Sequence, residues 1–196
     1  MARTHAGAFF YFTILQVLRC NAFGNGAPES ACESMLPGHK GYQPQPSPSP
    51  YNISVSAKSF KNGQPINVTI TGQNYQGLLL EARMYGIKSS LGSWMMPPLN
   101  TKFLKCSGNP KGAITHSNTE IKTASTVYTW MPPETNCPPV ITFKATVAKL
   151  KSQYWVNLTS EVLWRDQTAT CGAETFTWSI ITLLLLLTHI IFIYND

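Results

Sequence analysis

Residues 66–84 decide the fold, and they read Ile-Asn-Val-Thr-Ile-Thr-Gly-Gln-Asn-Tyr-Gln-Gly-Leu-Leu-Leu-Glu-Ala-Arg-Met. Apolar and polar side chains alternate over the first six residues, and Gly72 ends the pattern. Alternation with a period of two predicts a β-strand with one buried face. Residues 77–84 are more continuously apolar, as expected of a strand that is covered on both sides.

The same alternation recurs along the chain, which predicts an all-β fold. Short alternating runs, separated by Gly, Pro and Asn, occupy residues 51–56, 127–130, 141–148 and 154–159. Six or more such strands predict a sandwich of antiparallel sheets. All 14 prolines lie between Pro28 and Pro139. This distribution argues against long helical bundles in the region, because proline breaks helices.

Length and composition predict one domain with apolar segments at both ends. The chain has 196 residues, which is enough for one domain and leaves little room for a second. Charged residues make up 12% of the chain, against roughly 25% in soluble proteins. Two terminal apolar blocks explain part of this difference.

The first block, residues 1–22, has the features of a secretory signal peptide. Arg3 supplies a positive charge, residues 8–18 form an apolar run, and small residues end it at Ala22. The run is too short to cross about 30 Å of hydrocarbon as a helix. We therefore expect residues 23–175 to form an extracellular domain.

The second block, residues 176–194, predicts a single transmembrane helix. Its 19 residues carry no charge except a potential one on His189, and Trp178 and Tyr194 lie near its two ends, where aromatic residues favour the membrane interface. This topology places the protein in the cell-surface membrane with its N-terminus outside. The alternative is a glycolipid (GPI) anchor signal, but Gly172 and Ala173 lie closer to the apolar run than the usual spacer of about 8–12 residues.

Cysteine usage indicates disulfides. Cys20 would leave with the signal peptide, so the mature chain keeps an even number of cysteines: Cys32, Cys106, Cys137 and Cys171. An oxidising compartment favours disulfides over metal or redox roles, and the absence of a Cys-x-x-Cys spacing argues against zinc. Spacing alone leaves all three pairings open.

Three Asn-x-Ser/Thr sequons begin at Asn52, Asn67 and Asn157. In each sequon the asparagine falls on the polar face of its predicted strand, and the apolar residue that follows points inward. A glycan needs that outward direction. We therefore predict glycosylation at these three asparagines.

Several segments together resemble the reelin (reeler) domain family, and the resemblance covers about residues 28–171. They comprise Cys32-Glu33-Ser34-Met35-Leu36-Pro37-Gly38-His39, residues 60–70 and 77–83, Cys106, Trp130, Cys137 and Tyr154-Trp155-Val156. The similarity is greatest to the N-terminal reeler domain of membrane ferric-chelate reductases. It implies an immunoglobulin-like antiparallel β-sandwich with disulfides Cys32–Cys106 and Cys137–Cys171. It implies no agreed activity, because reeler domains are mostly extracellular interaction modules.

The sequence departs from the reductases where electron transfer would require haem. Those proteins carry a haem-binding β domain and a multi-helix cytochrome core, whereas one helix with His189 cannot supply a pair of axial histidines. His39 and His116 belong to no recognisable catalytic motif. Glu81 and Arg83 lie on the same side of a predicted strand, where a structural ion pair is favoured over a catalytic one. We therefore expect no enzyme activity, no metal and no cofactor.

The positive net charge of +6 suggests a polyanion contact, and two groups of lysines could provide it. They are Lys102, Lys105 and Lys111, and Lys144, Lys149 and Lys151. If both groups shared a face, they could attract sulfated glycans or anionic lipid. The alternative is that these lysines lie on exposed sheet edges, where lysine commonly prevents aggregation. Nucleic acid is excluded on compartment grounds.

The sequence therefore predicts a membrane-anchored extracellular module that recognises a protein or glycan ligand without enzyme activity. The first alternative is a truncated or accessory component of a reeler-type reductase. The second is a defence protein that binds microbial surfaces.

Overall fold

A computed structural model describes residues 24–135 and 137–171 of the chain. Within these ranges one 3-10 turn, Glu29–Ala31, precedes eleven strands. The strands are β1 (Tyr51–Val55), β2 (Ser59–Phe60), β3 (Ile66–Gly72), β4 (Gly77–Met84), β5 (Ser93–Trp94), β6 (Thr101–Cys106), β7 (Asn109–His116), β8 (Val127–Met131), β9 (Val140–Leu150), β10 (Gln153–Thr159) and β11 (Leu163–Arg165).

The strands form two sheets, as the alternating sequence predicts. The smaller sheet has the order β1-β3-β8-β5, and the larger has the order β2-β11-β9-β4-β7-β6. Strand β9 is 11 residues long and pairs with β4 along its length, while β11 and β10 share its other edge. The prediction of purely antiparallel sheets is wrong at one edge, where β11 and β2 run parallel.

The main core lies between the two sheets and is rich in aromatic side chains. Trp130 and Phe143 pack edge to face with ring centroids 5.4 Å apart, and Trp94 packs on the same Phe143 ring. The buried hydroxyls of Tyr75 and Tyr128 hydrogen-bond to each other at 2.8 Å. The inward positions of β3 and β4 complete this core. They fix the register of β3, because a one-residue slip would expose its apolar side chains.

A second, smaller core lies on the outer face of the larger sheet. We call residues 24–41 the N-terminal segment; it crosses this face and buries Ala31, Cys32 and Met35 against Leu79, Leu104, Cys106 and Ala113. Residues 78–83 of β4 are therefore buried on both sides. The prediction that this strand is covered on both faces is confirmed.

Two disulfides cross-link the fold in the pairing that the resemblance implies. Cys32 and Cys106 join the N-terminal segment to the end of β6, with Cα atoms 5.6 Å apart. Cys137 and Cys171 join the chain before β9 to residues beyond β11, with Cα atoms 5.4 Å apart. Both separations are normal for disulfides.

Strand β10 departs from the strict alternation that its sequence suggests. A β-bulge between Trp155 and Leu158 shifts the register against β9. Trp155 packs on Tyr51 beside the main core, whereas Tyr154 packs on His39 of the N-terminal segment. Tyr154 and Leu158 therefore do not share a face, and Asn157 takes up the bulge with a φ of 60°, a conformation that asparagine tolerates better than most residues.

The predicted signal peptide and membrane helix, residues 1–22 and 176–194, lie outside the described residues. Among residues 24–135 and 137–171, no helix has the length and apolar character needed to cross a bilayer.

Candidate binding pocket

An apolar pocket lies between the N-terminal segment and the outer face of the larger sheet. Its volume is about 130 Å³. The floor comes from the start of β4 and the end of β9, and the N-terminal segment forms the opposite wall. Its apolar lining includes Ala27, Ala31, Met35, Leu36, Leu78, Leu79, Ala148 and Leu150. Concave, mostly apolar sites with a few polar groups are the usual form of small-ligand sites.

A buried ion pair clamps the N-terminal segment onto the sheet. Glu81 and Arg83 both point outward from β4, and Arg83 Nε donates to Glu81 Oε2 at 2.9 Å. The remaining guanidinium nitrogens donate to the backbone carbonyls of Cys32 and Glu33. Both side chains are buried, with exposed fractions of 0% for Glu81 and 6% for Arg83. The predicted ion pair is confirmed, and we call these contacts the Arg83 clamp.

Glu81 also adjoins the first disulfide, because its Oε1 lies 3.3 Å from Cys106 Sγ. The grouping of Glu81 with Cys32 and Cys106 has the donor types of a metal site. Both sulfurs are joined in the disulfide, however, so neither is available as a thiolate ligand. The cluster is therefore an anchor of the pocket wall.

Burial raises the pKa of Glu81 to about 7, although the positive charge of Arg83 opposes this effect. An acid whose pKa is higher in the folded state than in the unfolded state stabilises the fold most at low pH. We predict that the free energy of unfolding falls as the pH rises from 4.5 to about 7, with a contribution from Glu81 of up to about 3 kcal/mol. Urea titrations across this range should give a flatter profile for Glu81→Gln. An identical profile for both proteins would contradict the assignment.

Three further hydrogen bonds hold the pocket wall in place. The Ala27 amide donates to Thr115 Oγ1 at 2.8 Å, and Thr146 Oγ1 donates to the Met35 carbonyl at 2.5 Å. The Tyr154 hydroxyl donates to the Tyr42 carbonyl at 2.9 Å. Because each bond joins a sheet side chain to the backbone of residues 27–42, the wall has a defined position over the sheet.

The ionisable side chains of the pocket lining are all basic. Lys151, His39 and His116 contribute to the lining, and no described lining residue is acidic. Burial lowers the pKa of His39 below its ordinary value of 6.5, with a smaller contribution from the charge of Lys151, while a hydrogen bond to the Lys151 backbone opposes the shift. His39 is therefore mainly neutral at physiological pH, and Lys151 carries the positive charge of the lining.

The structure separates the six lysines of the predicted polyanion contact. The Lys102 side chain packs on Gly26 at the pocket wall, and Lys151 contributes to the pocket lining. Lys111 lies over the Phe103 ring, and Phe103 packs against the main core. Lys149 donates a hydrogen bond to Gln73. Lys105 is exposed and Lys144 donates to Thr159. Only part of the set therefore adjoins the pocket, and the polyanion contact itself stays a prediction.

The three sequon asparagines, Asn52, Asn67 and Asn157, are exposed, and the residue after each one is buried: Ile53, Val68 and Leu158. Asn52 and Asn67 project from neighbouring strands of the smaller sheet, β1 and β3. Their occupancy by glycans stays a prediction.

Sequence reasoning did not identify the pocket or the β6–β7 hairpin that supports it. Ser107 and Gly108 form the hairpin turn with φ angles of 52° and 78°. A Ser-Gly pair between two short runs is a turn signal, but Pro110 and Gly112 interrupt the alternation that would mark β7. The N-terminal segment has no periodicity, so only the folded structure shows that it forms a wall.

Fold and site together define a two-sheet β-sandwich domain with a pocket on the outer face of its larger sheet. The chain belongs to the reeler domain family, since the family model for the Reeler domain matches residues 30–170.

Relatives of this chain fall into two groups that differ in length. "Putative defense protein 3" of Antheraea mylitta is 36% identical over 157 residues, which cover 78% of this chain and 93% of that protein. "Ferric-chelate reductase 1" of Bos taurus is 33% identical over 156 residues, which cover 78% of this chain but 26% of that protein. The similarity to the bovine reductase is thus confined to about a quarter of its length.

Among solved structures, the human F-spondin reeler domain has the same fold. It aligns over 69% of this chain and 100% of its own length, with a TM-score of 0.53 and 18% sequence identity. This match supports the sandwich architecture.

Proposed function

We propose that this chain is a cell-surface recognition module that binds a ligand at the pocket and does not transform it. The observation that carries the proposal is the apolar pocket itself, with a wall held by a disulfide and by the Arg83 clamp. A ligand in such a pocket would be held by shape complementarity and by the burial of its apolar surface.

Two buried cationic groups support recognition over catalysis, because both donate hydrogen bonds to carbonyls of the domain's own backbone. Arg83 serves the clamp. Lys122 is 2% exposed and donates to the carbonyls of Gln76, Asn118 and Glu120 at 2.7–3.0 Å. General acid–base catalysis needs a titratable group within reach of a substrate, and these two groups are committed to structural contacts.

Two of the three predicted glycosylation sites favour the pocket side as the recognition face, whereas Asn157 lies on β10 of the larger sheet. Asn52 and Asn67 lie on the outer face of the smaller sheet, so glycans attached there would cover that face. The larger sheet carries the pocket on its own outer face, away from these two asparagines. A ligand would therefore approach from the pocket side.

The test is saturable binding of the domain to intact cells. Residues 24–171 contain both sheets, both cores and both disulfides, so residues 1–171 can be secreted as a folded unit and labelled. We expect saturable binding that weakens in Ala148→Leu, which fills the pocket, and is unchanged in the surface control Lys88→Glu. Equal binding by all three proteins would contradict a role for the pocket.

Recognition of microbial surfaces is a second candidate function. It is favoured by the relation to the Antheraea mylitta protein, of which this chain covers 93%. Pull-down on bacteria and on lipopolysaccharide tests it with the same three proteins. Binding to bacteria without binding to host cells would favour this candidate.

A redox component is the competing class, because the bovine relative is a ferric-chelate reductase. A reduced-minus-oxidised visible spectrum of the purified full chain separates the two classes. Recognition without redox chemistry predicts no haem band, and a stoichiometric band would overturn it.

We also propose that residues 176–194 span the membrane after a signal peptide of residues 1–22, with residues 23–175 outside. Phosphatidylinositol-specific phospholipase C should then leave the protein in the membrane fraction of expressing cells, together with a C-terminal epitope. Release of the protein with loss of the epitope would show a glycolipid anchor. A known glycolipid-anchored protein in the same cells verifies that the enzyme is active.

A further inference from the structure

The pocket has the size of a single small apolar group. Its volume of about 130 Å³ is close to that of a dry cavity of about 150 Å³ that accommodates benzene in another protein. A ring, or an alkyl segment of similar bulk, would therefore fill it. A larger ligand would have to leave most of its surface outside.

The mouth of the pocket exposes apolar surface that an occupant would cover. Leu36 on the N-terminal segment and Leu150 at the end of β9 both contribute to the lining, with exposed fractions of 51% and 45%. Leu36 belongs to the wall formed by the N-terminal segment, and Leu150 belongs to the floor formed by the sheet. An alkyl chain that enters between them gains contacts with both.

The positive charge at the mouth favours a ligand whose polar end is negatively charged. Lys151 is exposed and carries the positive charge of the lining, and its Nζ lies 5.9 Å from the centre of the Tyr42 ring. The Lys102 side chain, from β6, lies against Gly26 of the N-terminal segment. Glu29 and Glu120 adjoin lining residues in sequence, but neither contributes to the lining. An anionic group at the mouth would meet Lys151 without an opposing carboxylate in the lining.

We propose that the pocket binds a small anionic amphiphile, with its alkyl end between the N-terminal segment and β9 and its carboxylate at Lys151. This inference rests on the proposed recognition function and names the chemical class of the ligand.

The test is a chain-length series of linear carboxylates from butanoate to decanoate, measured by calorimetry on secreted residues 1–171 below the micellar concentrations. Each buried methylene should tighten binding about fourfold. The gain should stop once the pocket is filled, after about six carbons by comparison with benzene. Pentylamine, which has the same five-carbon tail and the opposite charge, should bind more weakly than hexanoate. Absence of a chain-length effect, or equal binding of the amine, would overturn the proposal.

Three variants separate the tail from the head group. Ala148→Leu should abolish the dependence on chain length, because the leucine side chain occupies the pocket. Lys151→Glu should weaken hexanoate binding about fivefold, as expected for an exposed ion pair. Lys88→Glu makes the same charge change in the loop after β4 and should leave affinity unchanged. Thermal unfolding of each variant verifies the fold, and an equal loss in both lysine variants would argue against a specific contact at Lys151.

The two proposals can fail separately. Suppose that no carboxylate binds, while the labelled domain still binds saturably to cells and the Ala148→Leu variant loses that binding. The ligand class is then wrong and the recognition function stands. If carboxylates bind but cells do not, the small anion is the ligand and recognition of a cell surface is wrong.

Discussion

Replacing Arg83 with methionine is expected to lower the free energy of unfolding by about 3–5 kcal/mol, since removal of one partner leaves Glu81 buried without its cation, so that Glu81 must either stay charged or take up a proton. Glu81 would remain fully buried beside the disulfide without its cation, and the carbonyls of Cys32 and Glu33 would lose their donors. Urea denaturation at neutral pH measures the loss. Lys88→Met, which removes an exposed cation, is the matched control and should change stability by less than about 1 kcal/mol.

The double variant Glu81→Gln/Arg83→Met tests the reason for this loss. Because the glutamine is neutral, the double variant should be more stable than Arg83→Met alone, which gives a favourable coupling energy between the two residues. A single variant that loses less than about 1 kcal/mol, the range of exposed ion pairs, would show that the clamp is not a buried pair.

Removal of the Cys32–Cys106 disulfide by replacing both cysteines with alanine is expected to cost about 4 kcal/mol. The cysteines are 74 residues apart, and in the loop-entropy model a longer loop gives slightly more stabilisation. The loss of this cross-link should also let the N-terminal segment, which forms the pocket wall, detach more easily from the sheet. Hydrogen exchange should therefore accelerate in residues 24–41 before the two sheets open.

The second disulfide provides the matched control. Cys137 and Cys171 are 34 residues apart, so their replacement by alanine should cost a similar amount in the same model. This disulfide does not involve the N-terminal segment, and hydrogen exchange in residues 24–41 should stay slow. Equal acceleration in both variants would contradict a specific role of Cys32–Cys106 in holding the wall.

The sequence predicts those parts of the fold that depend on local periodicity. The alternation of Ile66, Val68 and Ile70 with polar residues marks β3, and the continuous apolar run marks β4 as a strand buried on both faces. Both predictions are confirmed, because hydrophobic pattern and register are coupled in a sheet. The disulfide pairing needed the family resemblance, since spacing alone cannot choose among three pairings.

The pocket could not be predicted because its parts are distant in sequence and its wall lacks a pattern. Met35 and Leu36 meet Leu79 and Ala148 only after the N-terminal segment folds back over the sheet. The position of that segment depends on hydrogen bonds such as Ala27 to Thr115, which link residues 88 positions apart. Glu81 and Arg83 could be paired from their spacing on a strand, but their contacts with the segment could not.

Site-specific photo-crosslinking tests most directly whether the pocket face is the recognition face. A benzophenone amino acid would replace Leu150 at the pocket mouth or Val127 on the outer face of the smaller sheet, two positions with exposed fractions of 45% and 43%. Each labelled domain is bound to cells and irradiated. We expect adducts from position 150 that an excess of unlabelled domain suppresses, and few from position 127. Adducts from position 127 alone, or equal yields from both positions, would contradict this expectation.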